Sequence, residues 1–306
     1  MALSYYIRRF VFSIVMVWAV ATLSFLMIHA LPGDTIDMIL GDQATQIDRA
    51  SLREALGLDQ NLVIQYSVFI KGLVRLEWGQ SLFNHKNVYR EISERLPNTL
   101  LLALSALLIA VVISLPLGMM AAVYQHFLWS RILSLVCVFM VSLPSFFLAP
   151  ILILYFCIHH HWLPIGGNDS ALSVLLPAFT LAVGLSSVLI QFTKSSFSNY
   201  LNQDFVRVLR AKGLPASKIY FVHILKNSMT PIASVIGLQL GALLSGALIV
   251  ESIFDWPGLG TLLYQAVQSR DYPLVQHCVL VTALIYAMVH FLLDLIYPIL
   301  QPRLRT

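Results

Sequence analysis

Charge is scarce in this chain of 306 residues: Asp, Glu, Lys and Arg make up 11% of it, against 58% apolar residues. Soluble domains carry about 25% charged and roughly 45–50% apolar residues, so a water-soluble globule is excluded. Cysteine is scarce as well. Cys137, Cys157 and Cys278 all sit in apolar stretches, are odd in number and have no metal-site spacing. They read as small buried hydrophobes. No GxxxxGK[ST] segment occurs, so this chain does not itself cradle nucleotide phosphates. Ionisable residues are nearly missing from the apolar runs: Asp294 is the clear case, with Glu251 and Lys194 at run edges. A carrier driven by protons or ions usually needs carboxylates or interrupted helices at mid-membrane, and that equipment is thin here. No serine has a paired base in view, which disfavours an intramembrane hydrolase. The energy for any transport enters from elsewhere.

What is abundant is long apolar sequence. Six runs, at about 10–31, 99–124, 132–158, 171–194, 232–254 and 275–298, each meet the roughly 20 residues a spanning helix needs. In lipid their backbone must bond internally, so they are helices. None alternates with period two, which disfavours a barrel. The fold class is therefore all-α, with six transmembrane helices. Arg8, Arg9, Arg131, Arg207, Arg210, Lys212, Lys218, Lys226, Arg303 and Arg305 all fall on one side, whereas loop 159–170 has no Lys or Arg. Both termini are thus cytoplasmic. Ala19-Val20-Ala21 resembles a cleavage site, but the apolar run continues past it, so the first run reads as an uncleaved anchor. The net charge of +4 reflects the basic inner side and not a nucleic-acid partner.

The chain divides into a tail and first helix (1–31), an external helical segment (32–98) and a core of five helices (99–306). Helical spacing marks 47–56 and the stretch around Val63, Tyr66, Ile70 and Leu73 as external helices. Val88, Ile92 and Leu96 suggest a third, stopped by Pro97. Pro116, Pro144, Pro150, Pro177 and Pro298 can kink their helices. The spacing of Gly237 and Gly241, and of Ala242 and Gly246, permits close approach of a neighbouring helix, of this chain or of another subunit.

Residues 195–231 form a polar, basic segment between two apolar runs. Phe205, Leu209 and Ala211 continue a helix that Gly213 interrupts, and Leu214-Pro215 restart a short one through about Ile224. A membrane protein that keeps a helix-turn-helix in a cytoplasmic loop presents it to a soluble partner.

Several motifs then occur in a familiar order: YYIRRF and LPGD near the start, LGLDQNLVIQY, RLPNTLLLA, SLPSFFLAP, HWLPIGG, RAKGLPASKI…HILKN, VESIFDWPGLG, RDYPLVQ and a final QPRLR. Through these, the whole chain resembles an inner-membrane permease subunit of bacterial ABC importers, of the dipeptide/oligopeptide/nickel class. Two positions depart from the family pattern: Arg207-Val208-Leu209 replace Glu-Ala-Ala, and Gln301 replaces a common Asp.

The resemblance implies a half-pathway for peptides or a related small solute, in the bacterial inner membrane. It implies a second permease subunit, two cytoplasmic ATPases that hold ATP and Mg, and a periplasmic substrate-binding protein, with no cofactor on this chain. Nickel or a metal chelate is the alternative cargo, and an ion-coupled carrier the weaker alternative mechanism. Arg207, Arg210, Lys212, Gly213, Leu214, Pro215, Lys218 and Ile219 would couple to the ATPase. Gly213 would allow the turn, and Leu214, Pro215 and Ile219 would form the apolar contact. Glu251, Asp255, Trp256 and Pro257 would shape an external gate. Ser145, Gln239 and Ser245 are candidate pathway linings. Adjacent residues point in different directions on a helix, so His159, His160 and His161 are not expected to hold a metal.

Overall fold

The computed structural model describes residues 2–30 and 59–300. Among these, the chain runs as α1 (Ala2–Ala30), α2 (Leu62–Arg75), α3 (Val88–Val123), α4 (Leu128–Ser142), α5 (Ser145–Leu152), α6 (Leu175–Leu201), α7 (Asp204–Ala211), α8 (Ala216–Lys218), α9 (Leu225–Ile253), α10 (Leu259–Gln268) and α11 (Tyr272–Leu300). Wide π turns at Ile153–His159 and Ile219–Ile224 extend α5 and join α8 to α9. The helix expected at 47–56 and the final QPRLR lie outside the described residues.

Helices α1, α3, α6 and α11 are each long and apolar enough to cross a membrane. The run expected at 132–158 is not one straight helix. It breaks into α4 and α5, which meet at 101°. The break falls at Pro144: proline disfavours the helical conformation in the residue before it, and Leu143 is extended at ψ 117°. The fifth expected run falls on α9, which is 29 residues long.

Three boundaries differ from expectation. Pro97 does not stop a helix; α3 passes through both Pro97 and Pro116 over 36 residues. The carbonyl that Pro97 leaves unpaired belongs to exposed Ser93, where water can satisfy it. Helix α6 continues seven residues past Lys194, so Lys194 is not at a helix edge. Its ammonium instead bonds Ser134 Oγ at 2.8 Å on α4. Between the fifth and sixth expected runs the chain is not bare loop: Leu259–Gln268 forms α10.

The core is built on close helix contact. Ala103, Ala106, Ala110, Ser114, Gly118 and Ala121 form one buried stripe of α3, which packs along α6. A Cβ on Gly118 would lie 2.5 Å from Thr193 Cβ and 3.0 Å from the Ile190 carbonyl. With lipid as apolar as leucine, this small-residue fit is what lets two membrane helices associate. The opposite face of α3 carries exposed Leu104, Leu108 and Val112. Gly237 and Gly241 face α11: a Cβ on the first would collide with Leu293, and one on the second with the ring of Tyr286. The neighbour they admit is therefore a helix of the same chain. On the external side, α2 rests on α1 and α11 through Phe25, Tyr66, Phe69 and His277, and the Thr22 and Tyr66 hydroxyls are 2.7 Å apart.

Candidate functional site: an inner hairpin and an outer knot

The inner hairpin starts where α6 ends. Helix α7 is strongly two-faced: Val206 is buried, while Arg207, Val208 and Arg210 are exposed. Gly213 reverses the chain at φ +74°, a conformation glycine adopts without a Cβ penalty. Two backbone bonds close the turn, from Gly213 N–H to the Arg210 carbonyl at 2.9 Å and from Leu214 N–H to the Leu209 carbonyl at 3.3 Å. Pro215 then leads into α8 at ψ 145°.

A private apolar cluster fastens the hairpin to the membrane helices. Val206, Ile219 and Ile224 pack with Ala122 at the end of α3 and Phe197 of α6, and Leu209 and Leu214 flank them. Ile219 is 1% exposed. It anchors the hairpin and has no outer face to offer a partner, contrary to expectation. Leu214 is half-buried on the same cluster, whereas Pro215 is exposed. The outward apolar surface belongs instead to Val208, Phe221 and Val222, all at least half exposed. These three are not among the contacts expected from the sequence, although exposed Phe and Val beside basic residues are a readable signal. Arg210, Lys212 and Lys218 are exposed as well. Arg207 reaches back to Asp204 at 3.5 Å, both ends being in water, a pair of small energetic weight.

The outer knot joins α3, α9 and α10. The N-terminus of α10 has free backbone donors, as every helix does, and side chains from two other helices satisfy them. Glu251 Oε2 accepts from Gly260 N at 2.7 Å and Thr261 N at 3.2 Å. Leu259 N donates to Thr99 Oγ1 at 2.7 Å, and Thr99 donates onward to Glu251 Oε1 at 2.7 Å. A carboxylate at a helix start also meets the favourable end of the helix dipole. Gly258 and Gly260 leave the room: a Cβ on either would collide with the Glu251 carboxylate. Trp256 Nε1 donates to the Asn98 carbonyl at 3.0 Å, and Asn98 Nδ2 returns a bond to the Pro257 carbonyl at 2.8 Å.

Glu251 is fully buried and Trp256 is 2% exposed, so neither faces an open path. Their geometry is that of a joint. Asp255 is exposed at φ +47° and Pro257 is half-buried. Ser145 opens α5 at the bend and is half-buried, as is Gln239 on α9. Neither bonds the other among the described residues, and the side chain of Ser245 lies outside them. His159 and His160 meet edge to face at 4.7 Å, and His160 stacks on Trp162 at 4.6 Å.

The described residues thus form a bundle of apolar helices with a basic hairpin packed on the ends of α3 and α6. Sequence comparison gives the class: the chain belongs to the family described as binding-protein-dependent transport system inner membrane component, matched over residues 114–306, with that family's N-terminal region matched over residues 2–103. It is 36% identical over 303 residues to the glutathione transport system permease protein GsiC of Salmonella choleraesuis (strain SC-B67), covering 99% of both chains. The GsiC protein of Escherichia coli (strain K12) is 35% identical over the same length. In fold it resembles a chain of the inward-facing MetNI methionine ABC transporter, with TM-score 0.57 and 16% identity over 69% of this chain and 96% of that one. The protein is a multi-pass inner-membrane permease subunit of an ABC importer. In such systems the ATPase is a separate chain.

Proposed function

We propose that this subunit forms half of a translocation path for short peptides or glutathione-like solutes. A second, related permease subunit completes the path, and a periplasmic binding protein delivers the solute. Two cytoplasmic ATPases hold ATP and Mg. The observation that carries this reading is the full-length 36% identity to a glutathione permease. The hairpin supports the coupling role. The hairpin segment exposes apolar Val208, Phe221 and Val222 and basic Arg210, Lys212 and Lys218, side chains suited to a groove on a soluble partner. Pushing on it moves α3 and α6 together, because Ala122 and Phe197 share its cluster. No covalent step falls to this chain.

The test is transport by the purified complex in proteoliposomes with its binding protein outside and ATP inside. Labelled dipeptide and glutathione should accumulate, and the uptake should stop without ATP or without the binding protein. Accumulation driven by a proton gradient in the absence of ATP would overturn the reading.

A further inference from the structure

An open cleft of about 590 Å³ lies between the segment that leads into α3, the first turns of α3, the C-terminal part of α10 and the start of α11. Its volume falls within the range of small-ligand sites, roughly 300–1,000 Å³. Its walls are polar, and the charged groups in them are unequally committed. Glu94 is held by Arg90 at 2.9 Å. Asp271 accepts from the Ser81 hydroxyl and from Leu274 N–H.

Lys86 lines the cleft as a further cation with no ion pair among the described residues, and two groups on α3 have unused capacity. Arg95 is half-buried and lines the cleft, and its guanidinium makes no ion pair among the described residues. Glu91 spends Oε1 on Asn84 Nδ2 at 2.6 Å, but its Oε2 is enclosed without any hydrogen-bond donor. Glu91 lines the same cleft. An acceptor without a donor and a forked donor without an acceptor therefore sit one helical turn apart on α3. Side chains four residues apart begin about 5–6 Å from each other.

We infer that this cleft is an external binding subsite for a small zwitterion, with Arg95 taking its carboxylate and Glu91 its ammonium group. The spacing selects a class of ligand. Two residues of extended chain span about 7 Å, a length comparable with the roughly 5–6 Å between side-chain starts four residues apart on a helix, which favours a dipeptide as the ligand. Arg95 offers the planar two-pronged geometry that carboxylates prefer. The inference deepens the peptide-import reading and rests on it for biological meaning, but the binding itself can be measured separately.

The experiment uses the complete transporter in nanodiscs without the binding protein, with alanyl-alanine as probe and ligand-observed NMR as readout. Saturable weak binding is expected. N-acetyl-alanyl-alanine and alanyl-alanine amide should each bind about tenfold more weakly, the usual scale for one charge-assisted bond. Arg95→Gln should weaken alanyl-alanine about tenfold and lose the distinction between the free acid and the amide. Glu91→Gln should lose the distinction between the free amine and its acetyl form. The derivatives probe the unaltered protein, so a variant that fails to assemble does not block the test. Absence of saturable binding, or equal binding of all three ligands, overturns the subsite. Saturable, end-dependent binding in a complex that transports no peptide sustains the subsite and overturns the peptide-import reading instead.

Discussion

Arg9 Nη1 lies 3.3 Å from Asp294 Oδ2, which ties α1 to α11 near the end of the bundle that the basic residues place in the cytoplasm. Asp294 was the clearest carboxylate available to an ion-coupled mechanism. In the fold it is neutralised by a neighbouring helix, and the pair is part-exposed, with the arginine side chain at 48%. The Asp294 side chain is 17% exposed, so its carboxylate is committed to this contact. Asp294→Asn should therefore leave ATP-dependent uptake within about twofold of the unaltered protein, as measured in proteoliposomes. Loss of uptake with ATP hydrolysis intact would return the carboxylate to the transport mechanism.

The turn at Gly213 makes a sharper prediction. A Cβ there would meet no atom within 4 Å, so substitution brings no clash. What remains is the positive φ of +74°, which costs an ordinary L-residue about 1–2 kcal/mol. Gly213→Ala should shift the hairpin away from this geometry and lower solute moved per ATP hydrolysed. Gly213→Asn, which tolerates the left-handed region, should sit between alanine and the unaltered protein. Identical coupling ratios for all three would remove the turn from the coupling account.

Ile219 and Phe221 separate anchoring from docking, because one is 1% and the other 60% exposed. Ile219→Ala deletes buried methyl groups and should cost about 2–5 kcal/mol, lowering the thermal midpoint of the purified permease. Phe221→Ala should leave that midpoint within a degree or so (about 0.5 kcal/mol or less for an exposed site) but reduce the recovery of ATPase subunits on affinity purification. The reverse pattern would mean that the partner binds the inner face of the hairpin.

At the knot, Glu251→Ala strands the N–H groups of Gly260 and Thr261 and the hydroxyl of Thr99, each of which Glu251 now accepts from. Unsatisfied buried donors cost about 1–3 kcal/mol apiece. Glu251→Gln should be milder, since one amide oxygen can still accept from α10 while the Thr99 hydroxyl must turn. Thermal unfolding of the complex should rank glutamate above glutamine above alanine. Equal stability of glutamine and alanine would show that the amide oxygen never takes over the cap.

Helix existence is readable in the sequence where one residue's chemistry settles the matter alone. The apolar runs and the reversal at Gly213-Leu214-Pro215 are of that kind, because each follows from the residue's own solvent preference or backbone limits; the prolines are not, since α3 continues through Pro97 and Pro116 while the chain breaks at Pro144. Helix α10 is not legible in this way because its start signal is not local. Its cap comes from Glu251 on α9 and Thr99 on α3, the latter 160 residues from Leu259. The role of Ile219 escapes a sequence reading for a related reason. A single apolar residue in a polar loop looks the same whether it faces a partner or its own core.

By itself, then, the order of residues determined that this protein lives in a bilayer and where its basic hairpin bends. Only the tertiary structure decided that Gly118 faces Thr193, that Glu251 closes a helix it does not belong to, and that Glu91 and Arg95 share a cleft with α10. The physical reason is the solvent. In water, an apolar stripe announces the face a helix buries against its neighbours, but in lipid both faces are apolar. The register of one helix on another is then set by small residues and a few polar bonds, whose partners only the folded chain reveals.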